Sequence, residues 1–134
     1  MAKRWPRINF KNSSAALPPP GDYPASISSF EFYDKPDVLW MKVNYGLRDH
    51  AATVSELVCI AALPGSQYAT RVAEGLRLLN RLAKATHQNI TVTEPEAIPA
   101  LFTGKAVTLT VAHKVRDGIA ELVVRGIAPP KTTP

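Results

Sequence analysis

Two kinds of apolar spacing divide this chain. From Val38 to Leu47, the side chains of Leu39, Met41, Val43 and Tyr45 fall on one side of an extended backbone. Val38, Trp40, Lys42 and Asn44 fall on the other, as the two-residue period of a strand requires. An earlier strand is expected from Tyr23 to about Tyr33. Its alternation is imperfect, but Tyr23, Ala25 and Ile27 share a face, as do Phe30 and Phe32. Asp34-Lys35-Pro36-Asp37 supplies the turn between these two strands. A third strand is expected over Thr53 to Ala61, with Val54, Val58 and Ile60 on one face and Glu56 interrupting the apolar row. The period then changes. In SQYATRVAEGLRLLNRLAK (Ser66 to Lys84), Tyr68, Val72, Leu76, Leu79, Leu82 and Ala83 recur at helical spacing, with Arg77, Arg81 and Lys84 roughly opposite. Pro64 and Gly65 break the preceding strand, and Ser66 can cap the first turn. Beyond an irregular stretch, with a short helical turn expected in Glu94 to Phe102, alternation returns from Lys105 to Val115. There Val107, Leu109 and Val111 oppose Thr108, Thr110 and Ala112. Asp117-Gly118 predicts a two-residue hairpin turn, because both residues tolerate positive φ, and the return strand runs from Ile119 to Ile127.

Three strands, a helix and two strands make an all-β chain with one main helix, and this is the element order of a five-stranded OB-fold barrel with its helix between the third and fourth strands. The 134 residues suit a single domain with a real core. Leu17-Pro18-Pro19-Pro20-Gly21 is a stiff, extended stop. It separates an arm (1–20) from the domain (21–130), which a short tail (131–134) follows.

Charge refines this division. The net +5 is concentrated in two places. Residues 1–20 hold Lys3, Arg4, Arg7 and Lys11 and no acid, and residues 66–84 hold four bases against Glu74. Residues 21–65, by contrast, carry six acids and three bases. A basic arm attracts polyanions, nucleic acid among them; a plain solvated leader is the competing role. No apolar run approaches the ~20 residues of a membrane span. The basic start MAKRWPRINF lacks the apolar core of a signal peptide, and the single Cys59 excludes an intrachain disulfide. A cytoplasmic protein is the expectation.

Catalytic chemistry finds no motif. His50, His87 and His113 are scattered, with no HxH, HxxxH or Cys/His pair at metal-ligand spacing. Cys59 lies in an apolar strand without an activating neighbour. Ser13 and Ser14 have no GxSxG context, Glu94 and Glu96 flank a proline, and no phosphate-cradling glycine loop occurs. The expectation is a non-enzyme without metal or cofactor. Binding is better motivated. Small barrels hold single strands with stacking aromatics and bases that follow the phosphates. Trp40 and Lys42 share the face of the second strand that opposes its apolar side. Phe30 and Phe32 could extend the platform, and Trp5 and Phe10 are interleaved with the arm's cations. Burial in the core is the competing role for Phe30, Phe32 and Trp40.

Gly21-Asp22-Tyr23, Leu39-Trp40-Met41-Lys42-Val43, the helical Gly75-Leu76-Arg77-Leu78-Leu79 and Leu101-Phe102-Thr103-Gly104-Lys105-Ala106-Val107 before the hairpin are similar in layout to phage-encoded single-stranded DNA-binding proteins. The likeness spans about residues 17–130 and is one of rhythm. It implies an OB-fold and non-catalytic binding of single-stranded nucleic acid, DNA in preference to RNA, in phage replication or recombination within the host cytoplasm. A homo-oligomer is compatible with it. The expected contact residues are Trp40, Lys42, Phe30, Phe32, Lys3, Arg4, Trp5, Arg7 and Lys11. Many bacterial proteins of this kind end in an acidic tip that recruits partners, whereas this chain ends in Pro129-Pro130-Lys131-Thr132-Thr133-Pro134, so that recruiting role is not implied. The alternative is a small-barrel module for protein interaction or assembly that binds no nucleic acid.

Overall fold

The alternating runs fold as strands in a computed structural model that describes residues 17–91 and 93–131. In chain order they are β1 (Gly21–Asp34), β2 (Val38–Leu47), β3 (Thr53–Ala62), β4 (Ala106–Arg116) and β5 (Ile119–Ala128). Between β3 and β4 lie a 3-10 turn (Ala69–Arg71), helix α1 (Val72–Ala85), a second 3-10 turn (Pro95–Ala97) and a short helix α2 (Ile98–Phe102). The strands form one antiparallel sheet in the order β3-β2-β1-β4-β5. β1 holds the middle of the sheet. Its first half pairs with β4, from Gly21↔Val111 to Ser26↔Ala106, and its second half pairs with β2, from Ala25↔Leu47 to Asp34↔Leu39. The two edge strands, β3 and β5, approach each other within 8 Å between Cα atoms. The segment 1–20 lies outside the described residues as far as Ala16, and so does the tail from Thr132.

A bulge explains why β1 alternates imperfectly. Its register with β2 slips between Ile27 and Ser29, so Ser28 is the extra residue and the inward parity changes there. Ala25 and Ile27 are buried ahead of the slip, and Phe30 and Phe32 pack on the same core after it. Ser28 is turned outward and donates its hydroxyl to the Asn44 carbonyl, 2.9 Å away.

The core lies between the sheet and the helices. Met41, Val43, Tyr45 and Leu47 of β2 meet Val107, Leu109 and Val111 of β4, Leu78 and Leu82 of α1, and Ile98 and Phe102 of α2. Helix α1 is rotated from the face that its spacing predicts. Leu78 is fully buried and Leu76 is 51% exposed; Tyr68 belongs to the turn ahead of the helix. The cause is Gly75. A Cβ at that position would collide with the Cys59 carbonyl oxygen, so the helix touches the β3 backbone along the line of its glycine, and this contact fixes its rotation. Ser66 does not cap α1 either. Its hydroxyl accepts from the Tyr68 N–H at 3.1 Å and donates to Asp37 at 2.8 Å, which ties the loop after β3 to the β1–β2 turn. At the hairpin, Asp117 and Gly118 both take positive φ, 53° and 78°, as the dipeptide predicts. Among the described residues, no helix is long and apolar enough to cross a membrane.

Candidate nucleic-acid interface

The register of β1, β2 and β3 builds the outer face of the sheet from rows of directly opposed residues. One row is Tyr33, Trp40 and Cys59; the next is Glu31, Lys42 and Leu57; the third is Ser29, Asn44 and Ser55. The hairpin turn and the strand period thus bring Trp40 and Lys42 together, as expected, and place Tyr33 beside Trp40. The alternating pattern alone does not mark Tyr33. Counting back across the Asp34–Asp37 turn would have paired it with Trp40.

The three rows differ chemically. In the third row, Asn44 donates to Ser29 Oγ and Glu31 Oε2, both at 3.0 Å, and accepts from Ser55 Oγ at 2.6 Å. These bonds fix the amide and leave a polar floor. In the middle row, Lys42 Nζ lies 3.8 Å from Glu31. The Asn44 amide, with the Lys42 ammonium and the Tyr33 hydroxyl beside it, holds the Glu31 carboxyl below the usual glutamate range. Leu57, at the end of this row, is 55% exposed, an apolar side chain next to a cation.

The first row is the aromatic one. Trp40 is half-buried, and its cover comes from the 3-10 turn before α1. Tyr68 meets the indole edge-on, with centroids 5.3 Å apart at 72°. The Arg71 guanidinium stands 5.3 Å from the ring centroid, within cation–π range. Tyr33 remains the open aromatic plane, 38% exposed. Cys59 is buried beneath this cover. The signal for the cover was present in the sequence as Tyr68 and Arg71, but the helical period assigned Tyr68 to the core face of the helix.

Phe30 and Phe32, expected as an extension of the Trp40 platform, are on the opposite side of the sheet. Both are half-buried against the core, and the Phe30 ring packs on Phe102 with centroids 6.3 Å apart. The Ser28 bulge and the pairing of Phe30 with Val43 and Phe32 with Met41 put them there. Lys3, Arg4, Trp5, Arg7 and Lys11 lie outside the described residues.

The scattered histidines have structural neighbours. His50 meets the Tyr23 ring edge-on, with centroids 5.1 Å apart, and His113 Nε2 is 2.7 Å from the Pro18 carbonyl oxygen. No protein-family model fits the chain, and no curated protein matches it.

Proposed function

We propose that the outer face of β1, β2 and β3 binds single-stranded nucleic acid without catalysis. The observation that carries this reading is the row of Tyr33 and Trp40, side by side on the outer sheet face, with Lys42 in the adjacent row and Arg71 over the indole. Aromatic planes accept any base, and neighbouring cations accept the phosphates between bases. Tyr33 offers the open stacking plane and Trp40 backs it. Lys42 and Arg71 each lie 3.8 Å from a carboxylate, Glu31 and Glu74, and phosphate would exchange for that partner. The basic arm, net +4 over residues 1–20, adds contacts that are not specific to sequence.

The finer fold belongs to the same proposal. The strand order, the approach of β3 to β5 and the position of α1 between β3 and β4 support closure into an OB-fold barrel. On this reading the chain acts on DNA single strands in phage replication or recombination.

The test is fluorescence anisotropy with oligo-dT, the matching RNA and duplex DNA over a salt series. Single strands are expected to bind more tightly than duplex, and more weakly as salt rises. Tyr33→Ala should weaken binding by about 1–3 kcal/mol for the base it stacks, and Trp40→Ala should weaken it by removing the residue that backs that plane. Equal affinity for duplex and single strand would mean a merely basic surface. If wild-type protein binds no oligonucleotide at low salt, the face belongs to a protein partner, for which exposed Leu57 and the acidic 21–65 segment are the better match.

A further inference from the structure

Helix α1 carries a second charged surface that the Trp40 face does not include. Glu74, Arg77, Arg81 and Lys84 recur at intervals of three and four residues, so they line one flank of the helix. Together with Asn80 and Val58 of β3 they line a groove of about 560 Å³. The helix rises about 1.5 Å per residue, so this flank is about 15 Å long.

The charges in the groove are unequally satisfied. Arg81 lies 3.5 Å from Glu56, and Glu74 lies 3.8 Å from Arg71. Among the described residues, neither Arg77 nor Lys84 has a carboxylate within salt-bridge distance. Both are exposed. The one acid of the flank is thus already paired, and the cations outnumber it. The same Arg71 that pairs with Glu74 stands over the Trp40 ring. A continuous series of contacts therefore runs from the aromatic row, through Arg71 and Glu74, into the groove.

We infer that the groove between α1 and β3 holds the phosphodiester backbone of a single strand that continues from the Trp40 face, with Arg77, Arg81 and Lys84 as its cations. The inference rests on the binding reading above and adds a second surface to it. A polyanion of regular charge spacing suits a row of cations over an apolar floor at Val58, and the link through Arg71 favours a strand already engaged by the aromatics.

The test compares wild type, Arg77→Gln/Lys84→Gln and Trp40→Ala, all as the full chain. Oligo-dT of about 4 and about 16 nucleotides brackets the site sizes of single small barrels. For the longer oligomer, removing both cations should lower the slope of log affinity against log salt by about 1.4, at about 0.7 per phosphate contact on a single strand. The shorter oligomer, held by the aromatic row, should keep its wild-type slope. The charge-conserving Arg77→Lys/Lys84→Arg variant should restore the longer oligomer's slope, which separates charge from any effect on folding. An unchanged slope for the longer oligomer, where wild type binds and Trp40→Ala weakens binding, overturns the groove and leaves the aromatic face standing. Failure of wild type to bind either oligomer overturns both. Loss of poly-glutamate binding in the double variant, with oligo-dT binding intact, assigns the groove to an acidic protein instead.

Discussion

Glu56 is a carboxyl whose environment opposes its charge. It stands on the inward side of β3, where it accepts the Tyr45 hydroxyl at 2.9 Å and lies 3.5 Å from Arg81 of α1. Burial raises its pKa, and the Tyr45 hydroxyl and Arg81 oppose that shift only in part. Burial beside the carboxylate also drives the Tyr45 phenol far above its ordinary value, so it stays protonated and remains a donor. The sign for stability follows. A carboxyl whose native pKa is raised binds its proton more tightly in the folded state. Its contribution to stability is complete below the ordinary glutamate value of about 4.3 and is lost as the pH rises through the raised native value. Glu56→Gln keeps an acceptor for Tyr45 and removes the titration. Urea denaturation from pH 7 down to about 4.5 should therefore show wild type gaining stability relative to the variant, and the variant should be at least as stable as wild type at pH 7. Glu56 was visible in the sequence as the one break in an apolar row. Its partners were not, because Tyr45 and Arg81 reach it only once β2 pairs with β3 and α1 docks.

At the scale of elements, the strands were legible because a two-residue period survives on any half-buried sheet. The expected limits of β2 coincide with the observed ones, and those of the other strands agree to within about two residues. What escaped was each place where an added residue or a close approach resets the period. The Ser28 bulge turned Phe30 and Phe32 inward, and the Gly75 contact rotated α1 so that Leu78 took the place expected of Leu76. The end of α1 has a similar local cause. Thr86 is the C-cap, His87 follows it at φ 56°, the His87 N–H donates to the Lys84 carbonyl, and the Gln88 N–H donates to the Ala83 carbonyl at 2.8 Å. This is a Schellman ending with histidine where glycine is usual. A non-glycine residue in this conformation costs about 1–2 kcal/mol, and glycine loses about 0.5–1 kcal/mol of that advantage through its freedom in the unfolded chain. His87→Gly should raise stability by up to about 1.5 kcal/mol, read as a higher denaturation midpoint at unchanged slope.

For the whole molecule, charge placement was legible in outline, since the basic segment 66–84 is the one that forms the flank of α1. The candidate site was legible only in its centre. Trp40 and Lys42 do share an outer face, but Tyr33, Tyr68 and Arg71 joined it through register and through the course of a loop, neither of which a periodic pattern encodes. β1 is hydrogen-bonded on one side to its neighbour in sequence and on the other to a strand near the far end of the domain, so that Thr110 donates to Asp22 across 88 residues. The β1–β2–β3 meander and the β4–β5 hairpin each close over short turns. Joining them costs the entropy of the long loop before the ladder repays it. Refolding should accordingly be limited by the meeting of two preformed halves and take milliseconds to seconds, the regime of sheets dominated by distant pairings. Stopped-flow tryptophan fluorescence in a Trp5→Phe background follows Trp40 alone, and a microsecond phase carrying the whole amplitude would refute this order of assembly.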